Sequence, residues 1–520
     1  MEILPIATRL VGFRSIVTAT TCVWGTFVNT YAEYPNDVRY NKTESRVFHG
    51  SEPQSPAAHN PNSDQTTISI PCRSVDKLLP LRKIDEPHLN FLPNEHLMHS
   101  IQNTCILSLI ALFASDVLAE DWPQWRGPNR DGKSAEANLD LDWTDAPPKL
   151  LWKVEGVGKG YSSVAITGGT LYTTGNVDSG QAIIARDASD GSEIWSTTVT
   201  GKSPKHGYPG ARCTPSVTDN HVYAVTSDGQ VVCLDRASGK LVWSKDFRDE
   251  WQGKMMSGWG FSESPLIDGD RIICTPGGDN GLIVALNRMT GDQIWGSRAF
   301  SSDKGKDGAG YSSVVVCNAA GTKQYVTLTG RGVVSVDAAT GGTLWTYAPV
   351  ANKTANIPTP ITFGDYIFCS SGYGTGSALL HISKSGGHLK VDEKCFLDAG
   401  TLQNHHGGMI QVGNHLYCGN GHNNGMPTCL QIDTGKVVWG GKMRGVGKGS
   451  AAVTMVGNHL LFRYESGHLA SIVATPESYQ LHGHFMPDHQ EGKSWAHPVV
   501  VDGRMYLREQ NVLMCYDVSS

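Results

Sequence analysis

The sequence predicts an all-β chain folded as an eight-bladed β-propeller of four-stranded blades, with the ring closed between the N- and C-terminal strands. Three observations predict it. Short runs of Val, Ile, Thr and Tyr recur between Gly- and Asp-bearing turns, and Ala/Leu/Glu/Lys stretches suited to amphipathic helices are almost absent after residue 120. A segment ending in Gly-x-x-x-Trp repeats with a period near 48 residues. The last strands of the chain lack an outer Trp strand, and a strand-like run around Trp152 lacks inner partners.

The N-terminal region precedes the repeat. Residues 104–114 (TCILSLIALFA) form an apolar run too short to cross a bilayer. Val117-Leu118-Ala119 follows as a small-x-Ala pattern, then the acidic Glu120-Asp121, and Met98 stands just ahead. Residues 98–119 therefore read as a secretory signal peptide cleaved after Ala119, although no Lys or Arg lies between Met98 and the run. A buried or disordered leader is the alternative. Residues 1–97 show no sustained periodicity and read as a mis-assigned leader with Met98 the true start, or as a disordered extension. On this reading the mature protein is extracytoplasmic, periplasmic or secreted, with no transmembrane span. Residues 120–146 are a lead-in to the propeller at 147–520.

The blades follow in order. Trp195, Trp243, Trp295 and Trp345 each end an Asp/Asn-x-x-x-Gly-x-x-x-Trp segment, with Gly191, Gly239, Gly291 and Gly341 in the turns. Their spacings are 48, 52 and 50 residues, and Trp439 follows 94 residues on, two periods later. Degenerate outer strands are expected near residues 390 and 482. In the turn, Asp bonds its own backbone and Gly supplies positive φ. Residues 495–518 supply three inner strands for Trp152, which closes the ring and removes a pairing hazard. Trp152, Trp195, Trp243, Trp295, Trp345 and Trp439 are read as structural residues docking blade on blade.

Charge and cysteine usage exclude several classes. The net charge of −6 is mild and no Lys/Arg-rich run occurs, so neither nucleic acid nor anionic lipid is indicated. Of twelve cysteines, nine lie after residue 119, mostly inside strand-like runs. Cys418 and Cys429 are placed where a hairpin would allow a disulfide. GVGKG occurs at 156–160 and 445–449 without the Ser/Thr and upstream Gly of a phosphate loop. His405-His406 would point to opposite faces if on a strand.

Function should lie on the axis, where the segments before each innermost strand converge. Those segments are 158–163, 210–215, 258–265, 308–313, 355–360, 404–409, 448–453 and 494–498. They carry Tyr161, Arg212, Trp259, Glu263, Tyr311, Asn356, Asn404, His405, His406, Lys448, Trp495 and His497. Aromatics with a few convergent polar groups suit a small-molecule pocket; the alternative is a hydrated polar channel.

The Asp-x-x-x-Gly-x-x-x-Trp repeat resembles the pyrroloquinoline-quinone (PQQ) propeller repeat over about residues 147–520. It is most similar to secreted planctomycete-type, polyvinyl-alcohol-dehydrogenase-like propellers, whose mature N-termini the lead-in DWPQWRGPNRDG (121–132) also resembles. The resemblance implies either a quinoprotein dehydrogenase oxidising alcohols with PQQ and Ca²⁺, or a non-enzymatic scaffold for protein binding or envelope assembly. For the enzyme, Arg212 and Lys448 would meet the quinone carboxylates, with Trp259 or Trp495 stacking and Asn404 and His405 beside them. Glu263 and Asn356 would hold the ion, and Glu263 is also the candidate catalytic base, the only carboxylate in the axial segments. The family's adjacent cysteine pair and a CxxCH haem motif are both absent from the sequence.

Overall fold

The computed structural model describes residues 121–520; the readings of residues 1–97 and 98–119 lie outside them. Eight antiparallel sheets stand in sequence order. Their innermost strands are Ala165–Thr167, Ser216–Val217, Leu266–Asp268, Val315–Cys317, Ile361–Phe363, Met409–Val412, Ala451–Val456 and Val499–Val501. These define blades 1 to 8. The outermost strands of blades 1 to 7 are Glu193–Thr198, Leu241–Asp246, Gln293–Gly296, Thr343–Tyr347, His388–Asp398, Lys436–Trp439 and Leu481–Phe485. The two degenerate copies thus keep their strands without their tryptophans.

Blade 8 is built from both ends of the propeller sequence. Lys149–Glu155 pairs antiparallel with Val512–Asp517, and Trp152 stands opposite Cys515. The only α-helix among the described residues is a single turn, Phe247–Trp251, capped by Asp246.

The tryptophans dock one blade on the next. A Cβ added at Gly191, Gly239, Gly291 or Gly341 would meet the ring of Trp152, Trp195, Trp243 or Trp295, in that order, always from the following blade's turn. The indole N–H of Trp243 donates to the Arg288 carbonyl at 3.0 Å, and that of Trp195 to the Arg236 carbonyl at 3.0 Å. Before the two Trp-less blades the pattern divides: Trp345 donates to Gln324 of its own blade at 2.8 Å, whereas Trp439 donates to the Thr475 carbonyl of the next blade at 2.8 Å. Gly435, following the Trp-less blade 5, meets Leu397 instead.

The Cys418–Cys429 disulfide is corrected by the register. Tyr417 stands opposite Cys429 and Cys418 opposite Thr428, so the two thiols point to opposite faces of blade 6. Cys418 packs with Met409 and Leu416, Cys429 with Tyr417 and Val453, and both are free thiols.

The lead-in does more than approach the ring. It runs through the axis and bonds the innermost strands of five blades and the segment leading into a sixth. Trp122 exchanges two backbone bonds with Ile166 of blade 1, and the Pro123 carbonyl accepts from Val217 of blade 2. The Arg130 guanidinium donates to the Ser264 and Pro265 carbonyls before blade 3, and Arg126 to the Met409 carbonyl of blade 6 at 2.6 Å. Lys133–Ser134 then adds a parallel strand to blade 7, and the Ser134 hydroxyl donates to Val500 of blade 8. The segment stoppers the channel that a bare ring would leave open.

Candidate functional site

One large cavity, of about 440 Å³, opens on the axial face above this stopper. Seven of the eight predicted axial segments contribute lining residues, and the floor is Trp125 of the lead-in. Trp125 is held by guanidinium groups of its own segment, Arg126 at 5.5 Å and Arg130 at 5.8 Å from the ring centre, and by the edge of His497 at 6.0 Å.

The walls are aromatic. Tyr161 lies 4.5 Å from Trp495 between ring centres, Tyr208 lies 5.2 Å from Trp495, and Trp259 lies 5.8 Å from Tyr311. Trp495 is set by what lies beneath it. The neighbouring Ser494 hydroxyl donates to Glu509 at 2.6 Å, and Glu509 is fixed in turn by a fully buried ion pair with Arg463 at 2.7 Å. The Trp495 indole N–H donates to Glu465 at 2.9 Å, whose other oxygen takes Lys493. Glu465 is the only carboxylate lining the cavity.

The fourth side is a histidine cluster. His405 and His406 sit in a loop rather than a strand, so both line the cavity, with ring centres 4.4 Å apart and His422 4.1 Å from His405. Burial and mutual repulsion lower the pKa of His405 to about 2 and of His406 to about 3, and burial with the nearby Arg126 lowers that of His497 to about 3. All three imidazoles are neutral at pH 7.

Several of these residues hold a backbone that side chains rarely adopt. Tyr208, Tyr373 and His422, which line the cavity, have φ between 55° and 57°, and Arg126 and Arg130, packed against Trp125, have φ of 62° and 56°.

Of the axial residues singled out from sequence, Tyr161, Arg212, Trp259, Tyr311, His405, His406, Trp495 and His497 line the cavity, and Glu263, Asn356, Asn404 and Lys448 do not. Glu263 is buried behind the wall. It accepts from the Thr275 N–H at 2.7 Å, and desolvation raises its pKa to about 7 against weaker help from Thr275 and Arg130. The Asn356 side-chain oxygen accepts from Asn352 and Ser371, and its nitrogen donates to Thr329 and Gly330. Asn404 donates to Gly408 and Gly419. Lys448 is exposed on the outer surface of its loop. Sequence reasoning missed Trp125, Tyr208, Tyr373, His422, Glu465 and Lys493, which lie outside the segments leading into innermost strands.

A Ca²⁺-bound quinone would need oxygen ligands for the ion and free cationic partners for its carboxylates. Glu263 and Asn356 are each engaged in the fold, and no group of three or more His, Cys, Asp or Glu among the described residues is arranged to hold a metal. Arg212 donates to the Gly207, Tyr208 and Gly210 carbonyls of its own loop, and Lys493 is paired with Glu465. The aromatic walls suit a planar ring, but the residues present do not fit a Ca²⁺–quinone pair.

Comparison with known proteins places the chain in a family. Residues 143–248 and 205–441 match the family model described as outer membrane protein assembly factor BamB. The chain is 26% identical over 241 residues to BamB of Shewanella oneidensis, covering 44% of this chain and 56% of that protein. It is 27% identical over 147 residues to the quinoprotein ethanol dehydrogenase of Pseudomonas putida, covering 26% of this chain and 22% of that protein. The chain thus spans about half of the first relative and under a quarter of the second. The quinohemoprotein alcohol dehydrogenase of Comamonas testosteroni shares the fold, with a TM-score of 0.53 at 13% identity over 79% of this chain and 82% of that one. With the family match spanning more than half of its 520 residues, the chain belongs to the PQQ-like β-propeller family described as outer membrane protein assembly factor BamB.

Proposed function

We propose that this protein is an extracytoplasmic propeller that binds a small molecule in the axial cavity above Trp125. The observation that carries the reading is the cavity itself: about 440 Å³, with aromatic rings in its walls and Trp125 of the lead-in closing it below. That volume lies within the usual range for small-molecule sites, and polar side chains are interspersed among the rings. Three lining residues in the left-handed region, Tyr208, Tyr373 and His422, support a site that the fold maintains at a conformational cost.

Two further readings each have an observation in their favour. Relatives named quinoprotein dehydrogenases favour an oxidoreductase acting on alcohols with PQQ and Ca²⁺. Relatives named BamB favour a non-enzymatic scaffold for a protein partner in envelope assembly. No helix among the described residues is long and apolar enough to cross a membrane.

Thermal unfolding of the purified protein against a ligand panel, with PQQ plus Ca²⁺ as one member, separates the three. A ligand at 100 times its Kd adds about 2.7 kcal/mol to stability. The pocket reading expects at least one member to raise Tm for the wild type and not for Trp495→Ala. A panel without any such member overturns it. A shift by PQQ plus Ca²⁺ together with alcohol-dependent dye reduction would establish the oxidoreductase.

A further inference from the structure

We propose that the ligand is a neutral, polyhydroxylated ring, a saccharide or cyclic polyol, recognised because the cavity wall is built to accept hydrogen bonds. This rests on the pocket reading and narrows it to a ligand class.

Hydrogen-bond direction sets what the wall offers a ligand. A hydroxyl has one proton, so a hydroxyl that donates to the wall can only accept from what enters. Ser257 donates to the Thr354 carbonyl at 2.8 Å, so its 2.6 Å contact with Tyr311 must be a bond donated by the Tyr311 hydroxyl. The Trp259 N–H occupies one lone pair of Tyr311 at 3.4 Å, and the other is left for a ligand.

Tyr373 is fixed the same way by a longer chain. Ser450 donates to the Asn423 carbonyl oxygen at 3.2 Å, so His405 Nδ1–H donates to Ser450 at 2.6 Å. His405 is neutral, so its Nε2 carries a lone pair and accepts from the Tyr373 hydroxyl at 3.1 Å. The Tyr373 oxygen therefore also meets the cavity as an acceptor. Glu465 is the third acceptor, a carboxylate holding Lys493 and Trp495 N–H with lone pairs to spare.

Charge points the same way. Lys493 is neutralised by Glu465, the guanidinium of Arg212 is turned onto three carbonyls of its own loop, and the three most buried imidazoles are uncharged. Arg212 alone of the lining cations lacks a carboxylate partner, and its donors are engaged by its own loop. Trp125, Trp259 and Trp495 offer apolar faces of the kind that pack against the C–H face of a sugar ring.

The test follows tryptophan fluorescence and calorimetry of the full chain with named probes: glucose, maltose, cellobiose and myo-inositol, each beside its fully O-methylated form, with glucuronate and PQQ as anionic probes. The expectation is that at least one hydroxylated probe binds and its O-methylated form does not. Tyr373→Phe and Tyr311→Phe, each shown folded by circular dichroism, should each weaken that binding roughly ten-fold, the scale of one lost hydrogen bond. Equal binding of an O-methylated probe, or no loss in either variant, overturns the proposal. Binding of PQQ or glucuronate alone, abolished in Trp495→Ala, overturns it while the pocket reading stands. Failure of every probe overturns this proposal, and only the wider panel then bears on the pocket.

Discussion

Gly291 lies flat against the indole of Trp243 in the preceding blade, so close that a Cβ at position 291 would sit 2.8 Å from the ring. The same turn places its carbonyl, at Arg288, 3.0 Å from the indole nitrogen. The repeat is thus a lock in two parts. Trp152, Trp195, Trp243 and Trp295 each rest on the glycine of the next blade, and each of those glycines is both a turn residue and a landing surface.

Truncating the lock from the Trp side should cost roughly 3–5 kcal/mol, the usual range for removing a large packed aromatic. Trp243→Ala is the variant, and urea unfolding monitored by circular dichroism is the measurement. A loss below about 1 kcal/mol would contradict the docking role.

The glycine side carries its own expectation. Gly291 has φ of +75°, a conformation that costs a residue with a Cβ about 1–2 kcal/mol before any clash is counted. Gly291→Ala should therefore destabilise by at least that amount. Gly269→Ala, also at positive φ but with nothing within 4 Å of the added Cβ, should cost less. Equal losses in the two variants would show that the indole contact contributes nothing.

The repeat made the fold legible in the sequence because blade docking is written into residue types at fixed spacing. Even the degenerate blades could be placed, since a 94-residue gap between Trp345 and Trp439 leaves room for one more unit. The site was only half legible. Arg212, Trp259, His405 and Trp495 stand where chain order predicted. Glu263 and Asn356 stand in the same segments, yet point into the fold because Thr275, Asn352, Thr329 and Gly330 offer backbone partners there. Trp125 was out of reach of repeat counting altogether, because the stopper is not a repeat. Its two arginines, at φ of 62° and 56°, carried no pattern that a sequence could show.

Acid should unfold the protein through its cavity. His405, His406 and His497 titrate at about 2 to 3 when folded and near 6.5 when unfolded, so the unfolded chain binds more protons between those values. Their contribution is complete above pH 6.5 and is lost as pH falls toward 3. Tm measured from pH 7.5 to 4.5 should drop, and the drop should shrink in His406→Gln. An unchanged slope in that variant would contradict the assignment.

Glu263 acts in the opposite sense. Its folded pKa of about 7 lies above the ordinary carboxylate value, so the folded state holds the proton more tightly. Its contribution is complete below about pH 4.5 and is lost as pH rises through 7. Glu263→Gln keeps an acceptor for the Thr275 N–H and removes the titration. The difference in Tm between variant and wild type should therefore change between pH 5 and pH 8 in favour of the variant. A constant difference would show that Glu263 does not titrate in that window.

The axial stopper turns a ring with a hole into a ring with a floor, and the pocket exists only if it stays in place. Hydrogen exchange at the amides of Trp122, Ile166, Val217 and Met455, all bonded across the stopper, measures this directly. These amides should exchange only through global unfolding, as slowly as those in the central strands of the blades. Exchange at the rate of an unstructured peptide would mean that residues 121–134 are not seated in the axis and that the cavity has no floor.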